Sequence, residues 1–183
     1  MLRFLVCLVI LTAAQTALAQ YNWGYAPGAP AYPPPAYPPR YLQPQPTHDL
    51  ASEMLGAHNA VRARVGSPPL VWSTQLAEYA HRWASHPIAT HQFMHSSERR
   101  YGENIYAISG GFASTMQVVA SWADEARGYS LRTNGCASVC GHYTQIIWGT
   151  TRGVGCAVAT GIGRQVWVCE YDPPGNIVGQ RPY

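Results

Sequence analysis

The chain contains no lysine; all twelve of its basic residues are arginine, and only Arg99 and Arg100 stand together. Nine acidic residues bring the charged fraction to just 11%. With so little charge and no basic stripe, a nucleic-acid partner held by phosphate contacts is excluded. Long apolar runs are scarce too. Phe4 to Ala14 is too short to span a bilayer comfortably, and no later segment is apolar for long enough, so the mature chain is expected to be soluble. No Ser, Cys or Thr sits in a recognisable nucleophile motif, which weighs against covalent catalysis.

Arg3, the apolar run and the small-x-small pattern Ala17-Leu18-Ala19 read as a signal peptide over 1–19, cut after Ala19. The expected destination is extracellular. Removing this leader also removes Arg3 and Cys7, leaving eleven arginines against nine acids, a net +2, and four cysteines. An even cysteine number in an oxidising compartment points to two disulfides. Cys136-x-x-x-Cys140 does not match a zinc-ribbon spacing. Cys156 and Cys169 flank a hairpin loop and can face each other, which leaves Cys136 to pair with Cys140.

Residues 20–46 form a Pro/Tyr-rich linker, expected to be polyproline-II-like or disordered because proline fixes φ and removes donors. The remainder, 47–183, suits one domain. Leu50, Met54, Ala57, Val61 and Val65 recur at helical spacing, with Gly66 as a stop. A second helix is expected from Ser73, burying Leu76, Tyr79, Ala80 and Trp83 and ending before Pro87. A third is expected from about Ser114 to Arg127, with Met116, Val119, Ala120 and Ala123 inward. Tyr143–Trp148, Val154–Thr160 and Gln165–Tyr171 read as strands, the last two joined by the loop 160–164. Helices first and antiparallel strands last imply an α+β domain.

Gly141-His142-Tyr143-Thr144-Gln145-Ile146-Ile147-Trp148 is the most distinctive stretch. It resembles the first signature of the CAP superfamily (cysteine-rich secretory, antigen-5 and pathogenesis-related-1 proteins) at every position. Residues Val168 to Ile177 are similar to the second signature, except that Glu170 stands where the family usually has a neutral polar residue. His58-Asn59-x-x-Arg62 and Gly102-Glu103-Asn104 resemble two further motifs, and the match looks nearest to the plant pathogenesis-related-1 type. No lysine, two disulfides and the Pro/Tyr-rich segment set the chain apart from most plant members.

The resemblance implies a three-layer α-β-α sandwich with a small, mostly antiparallel sheet. It also implies a cleft with two histidines and two glutamates, at the positions His95, Glu103, Glu125 and His142. Asp124 is a rival for Glu125, and His86 and His91 are rivals for His95. Such a set can hold Zn2+ or another divalent cation, act as an acid–base pair, or simply brace the fold. The resemblance gives His58, Asn59 and Arg62 a structural role.

The functional expectation is a secreted, monomeric binding protein for a sterol, fatty acid or other small apolar ligand, with peripheral membrane contact left open. Ala107–Phe112 is the candidate flap. Whether the chain is an enzyme stays open, and a metal-dependent hydrolase using the His/Glu cleft is the rival. The C-terminus is similar to a defence-signalling peptide released from plant members, which would require a cut between Asp172 and Pro173.

Overall fold

The computed structural model describes residues 49–90, 93–97, 100–161 and 163–183. The expected leader and linker lie outside them. Helix α1 (Leu50–Ala63) starts on Asp49, whose carboxylate accepts from the Ala51 amide at 3.2 Å. It is followed by β1 (Val71–Trp72), α2 (Thr74–Thr90) and β2 (Gly102–Ser109). Helix α3 (Thr115–Ala123) then runs into a 3-10 turn, Asp124–Gly128. A short pair follows, β3 (Tyr129–Ser130) with β4 (Gly135–Cys136), and then α4 (Gly141–Ile146), β5 (Gly153–Gly161) and β6 (Arg164–Asp172).

The main sheet has the order β1-β5-β6-β2. Only the β1–β5 pair is parallel. Side chains alternate between faces with a period of two, and this alternation sorts the core. Ile105, Ala157, Val166 and Val168 meet Ala80 and Ala84 of α2 on one face. Val154, Cys156, Trp167, Cys169 and Tyr171 meet α1, α3 and α4 on the other, around Met54, Val118, Trp122 and Ile146. The result is an α+β sandwich of three layers. Full burial of a side chain such as Met54 or Ile146 contributes about 2 kcal/mol. Cys156 and Cys169 lie directly opposite each other in the β5–β6 register and form a disulfide, and Cys136 and Cys140 form a second.

The His-Asn-x-x-Arg motif ties α1 to the loops around it. Arg62 is fully buried and donates to the carbonyls of Pro68, Ile146, Trp148 and Thr151. The Asn59 amide reads both backbone groups of Leu70. Burial, with Arg152 nearby, lowers the Arg62 pKa to about 10.

Four elements differ from the sequence expectation. Residues 143–148 are not a strand: Gly141–Ile146 is helical, because Tyr143, Ile146 and Ile147 share one helical face and bury it in the α1/α3 layer. Helix α2 does not stop before Pro87 but contains it. Proline costs a helical hydrogen bond, but Pro87 is buried and Ile88 in the same turn packs on the sheet. In α3 the inward face is Val118, Val119 and Trp122, while Met116 and Ala120 are exposed. Its Ser114–Gln117 capping box sets the helix phase. Finally, the flap expected at 107–112 is half sheet: Ala107, Ile108 and Ser109 pair with Val166, Gln165 and Arg164 of β6.

Candidate functional site

Glu103 is the second residue of β2, and alternation puts it on the α2 face with Ile105. His95 stands in the segment after α2 and meets it there. Its Nδ1 lies 2.6 Å from Glu103 Oε1, while the Ser96 amide donates to both carboxylate oxygens at 3.1 and 3.3 Å. The two partners differ in exposure: the His95 side chain is 60% exposed and that of Glu103 only 7%. The hydrogen bond to Glu103 raises the His95 pKa, partial desolvation opposes this, and the carboxylate's charge adds to the rise.

Glu125 and His142 form a second pair. Glu125 sits in the 3-10 turn and His142 in the first turn of α4. The Glu125 carboxylate receives His142 Nδ1 at 2.6 Å, the His142 amide at 2.9 Å and the Tyr143 amide at 3.4 Å. It therefore caps the unsatisfied amides at the start of α4 as well as orienting the imidazole. The His142 ring stacks on Trp122, with centroids 6.0 Å apart and planes 22° apart. The pairs are linked through Asn104, the neighbour of Glu103, whose side-chain amide donates to the His142 carbonyl and to the Tyr171 hydroxyl, each at 3.1 Å.

So the structure brings the four residues together as two imidazole–carboxylate pairs. Among the described residues, no three of them place ligand atoms within 4.8 Å of one another. Of the rivals, Asp124 is engaged with Arg127 at 2.6 Å. His86 stacks on Trp83 at 4.9 Å and lines the cleft, and His91 lies outside the described residues. Among the described residues, His58, Cys156 and Cys169 do place ligand atoms within 4.8 Å of one another. The group offers no metal ligand, because both thiols are consumed in the disulfide. Both His58 nitrogens are also engaged, by the Met54 carbonyl and the Tyr171 hydroxyl.

His95 and Glu103 line a cleft of about 970 Å³ with Trp83, Met94, Tyr101 and Ile177. A second groove, between α1 and α3, has only about 170 Å³. Ligand pockets typically run from about 300 to 1,000 Å³; a third hollow, beside α4 and the C-terminal residues, has about 330 Å³, and the first, which holds His95 and Glu103, is the candidate ligand cleft. Glu125 and His142 are not among the described residues lining it. One participant, Gln145, has no role assigned from sequence, and Glu170 stands out there only as a departure from the second signature. Gln145 lines the cleft at 1% exposure, its carboxamide filling the space beside Gly102 and Gly175. Glu170 lies directly across from Glu103 in the strand register. Gln145 stands within the quoted 141–148 motif, but its role depends on two glycines from distant segments.

Comparison with known proteins follows the same lines. The tobacco (Nicotiana tabacum) pathogenesis-related protein 1B is 44% identical over 134 residues, covering 72% of this chain and 79% of that one. The maize (Zea mays) pathogenesis-related protein PRMS is 40% identical over 147 residues, covering 78% and 87%. Among solved structures, venom allergen-like protein 4 of Schistosoma mansoni superposes with a TM-score of 0.59 at 24% identity, covering 74% of this chain and 94% of that one. NaASP2, crystallised with Zn2+, gives 0.62 at 23% identity, covering 74% and 85%. Both establish the fold alone. The model of the cysteine-rich secretory protein family, CAP, matches residues 55–171, and the chain belongs to that family.

Proposed function

We propose that this chain is an extracellular, non-catalytic binding protein whose cleft takes a small ligand with an apolar body and a polar end, such as a sterol or fatty acid. The observation that carries the reading is the composition of the 970 Å³ cleft. Trp83, Met94, Tyr101 and Ile177 supply apolar surface, and Glu103, held by His95 and Ser96, and the buried Gln145 supply polar anchors, with His86 and Asn176 beside them. Apolar side chains beside placed polar groups give such a ligand a body site and an orienting end.

A reversibly held divalent cation is a second reading of the four His/Glu residues, separate from the cleft, which Glu125 and His142 do not line. In both pairs the carboxylate engages Nδ1, which leaves Nε2 as the free ring nitrogen. That is the arrangement of a histidine ligand braced by a carboxylate. His95 and His142 would hold the ion, with Glu103 and Glu125 orienting the rings. Two imidazoles fall short of the four ligands of a structural zinc site, which suits an ion that comes and goes. The Zn2+ in the NaASP2 crystal structure makes zinc the first ion to try.

The test uses the secreted mature chain. Radiolabelled cholesterol and palmitate are expected to bind saturably and to lose affinity on Trp83→Ala. Calorimetric titration with Zn2+ is expected to show binding that His95→Ala and His142→Ala each weaken at least tenfold. Absence of both lipid and metal binding would end the reading. Peptide or ester hydrolysis that disappears in His142→Ala would replace it with the hydrolase.

A further inference from the structure

Tyr79, Trp83 and His86 stand at i, i+4 and i+7 of α2 and so share one stripe of the helix. Their rings are held in fixed orientations. Trp83 and His86 stack, with centroids 4.9 Å apart and planes 11° apart, and His86 is exposed. Tyr79 meets Tyr101 edge-on at 5.6 Å, and the Arg100 guanidinium lies 5.3 Å from the centre of the Tyr101 ring. Trp83, His86 and Tyr101 all line the cleft of about 970 Å³, which therefore has an aromatic wall.

The polar groups of this cleft are unevenly used. The Glu103 carboxylate is engaged by His95 and the Ser96 amide, Asn176 Oδ1 accepts from Thr144, and Gln145 Oε1 accepts from the Gly175 amide. Two buried donors, by contrast, have no hydrogen-bond partner: the Trp83 indole N–H and the Gln145 Nε2. Gln145 is only 1% exposed. Its Nε2 lies between two glycines that line the cleft, 2.8 Å from where a Gly175 Cβ would stand and 3.2 Å from where a Gly102 Cβ would stand. With no side chain at either position, a ligand backbone can come close to this nitrogen. An unpaired buried donor is costly, so the cleft favours a ligand rich in acceptors and poor in donors.

Polyproline has that chemistry. Each proline brings a carbonyl acceptor, an apolar ring and no N–H, and the polyproline-II helix uses none of its carbonyls internally. Aromatic-lined grooves recognise proline-rich strands in this way. The carbonyls are uncharged, so they reach both donors without bringing a second negative charge to Glu103. The chain itself carries such a sequence, Pro33-Pro34-Pro35-Ala36-Tyr37-Pro38-Pro39, followed by Pro44-Gln45-Pro46.

We propose that the cleft walled by Trp83, His86 and Tyr101 is a docking site for a polyproline-II strand of the sequence this chain carries at 32–46. Prolines lie on the aromatic wall, and carbonyls of the strand accept from Trp83 Nε1 and Gln145 Nε2. This adds a peptide to the ligands of the cleft. It rests on the reading of that cleft as a ligand site, and not on lipid or metal binding.

The recipient in the experiment is the full mature chain with the prolines of 33–46 replaced by serine, so that it carries no competing copy of the strand. A fluorescein-labelled peptide of sequence 32–46 is titrated by anisotropy, beside the same peptide with alanine at every proline. Saturable binding is expected, at least tenfold tighter than for the alanine peptide. Trp83→Phe, which keeps a ring but loses the donor, is expected to weaken it at least fivefold. No saturable binding, equal binding of the two peptides, or full affinity in a Trp83→Phe chain with native near-ultraviolet dichroism would overturn the proposal. Should Trp83→Phe misfold, the exposed His86→Ala takes its place, and unchanged affinity there has the same consequence. Radiolabelled cholesterol and palmitate are measured on the same recipient. Lipid bound without peptide refutes the strand and leaves the cleft a lipid site, whereas neither bound refutes both.

Discussion

Tyr171 donates its hydroxyl hydrogen to His58 Nε2 at 2.8 Å, deep between the sheet and α1. His58 Nδ1 lies 2.7 Å from the Met54 carbonyl, so that nitrogen carries the proton and Nε2 must accept. Asn104 then donates to the Tyr171 oxygen, which closes the network. Tyr171→Phe leaves a buried imidazole acceptor unpaired, and a loss of about 1–3 kcal/mol is expected by urea denaturation.

The same burial makes stability depend on pH. Desolvation, partly opposed by the Met54 carbonyl and aided by Arg62, lowers the His58 pKa from 6.5 to about 4. Between those values the unfolded chain takes up a proton that the folded chain refuses. Stability from this group is intact above pH 6.5 and falls as pH drops towards 4, by about 3 kcal/mol in total. Denaturation at several pH values should show that slope, and His58→Gln should remove it.

Arg62→Lys tests whether the buried guanidinium is a geometric fork or merely a cation. Its donors reach four separate carbonyls, and an ammonium cannot span them. A loss of about 3 kcal/mol or more is expected, read as a lowered thermal midpoint with Cys156 and Cys169 still joined.

Glu103→Gln should return the His95 pKa towards its ordinary value, because the Glu103 hydrogen bond is the largest cause of the rise. Proton NMR titration of the His95 ring reads this directly. An unchanged midpoint would mean that the 2.6 Å contact does not persist in solution.

Replacing Cys156 and Cys169 together by alanine opens a link between residues 13 apart in sequence. On the chain-entropy model such a loop is worth about 3 kcal/mol. The measurement is the denaturation midpoint of the double variant, with a proteolytic map of the wild type showing Cys156 joined to Cys169.

What could be read before any coordinates follows from local physics. Leu50, Met54, Ala57 and Val61 declare α1 because their spacing is helical whatever they pack against. The β5–β6 hairpin is legible for the same reason, as runs of β-branched residues on either side of a glycine loop. Glu103 and His142 are legible as candidate site residues only through motif resemblance. Tyr143–Trp148 misleads, since its β-branched and aromatic content fits a strand until a third layer demands a helical face.

Tertiary structure alone decided the partnerships. His95 with Glu103, His142 with Glu125 and Gln145 between Gly102 and Gly175 each join segments whose sequence spacing carries no sign of the contact. Composition and periodicity report what one segment prefers. Which carboxylate meets which imidazole depends on how strand alternation and helix phase turn two distant segments towards each other, and only the packed layers set that.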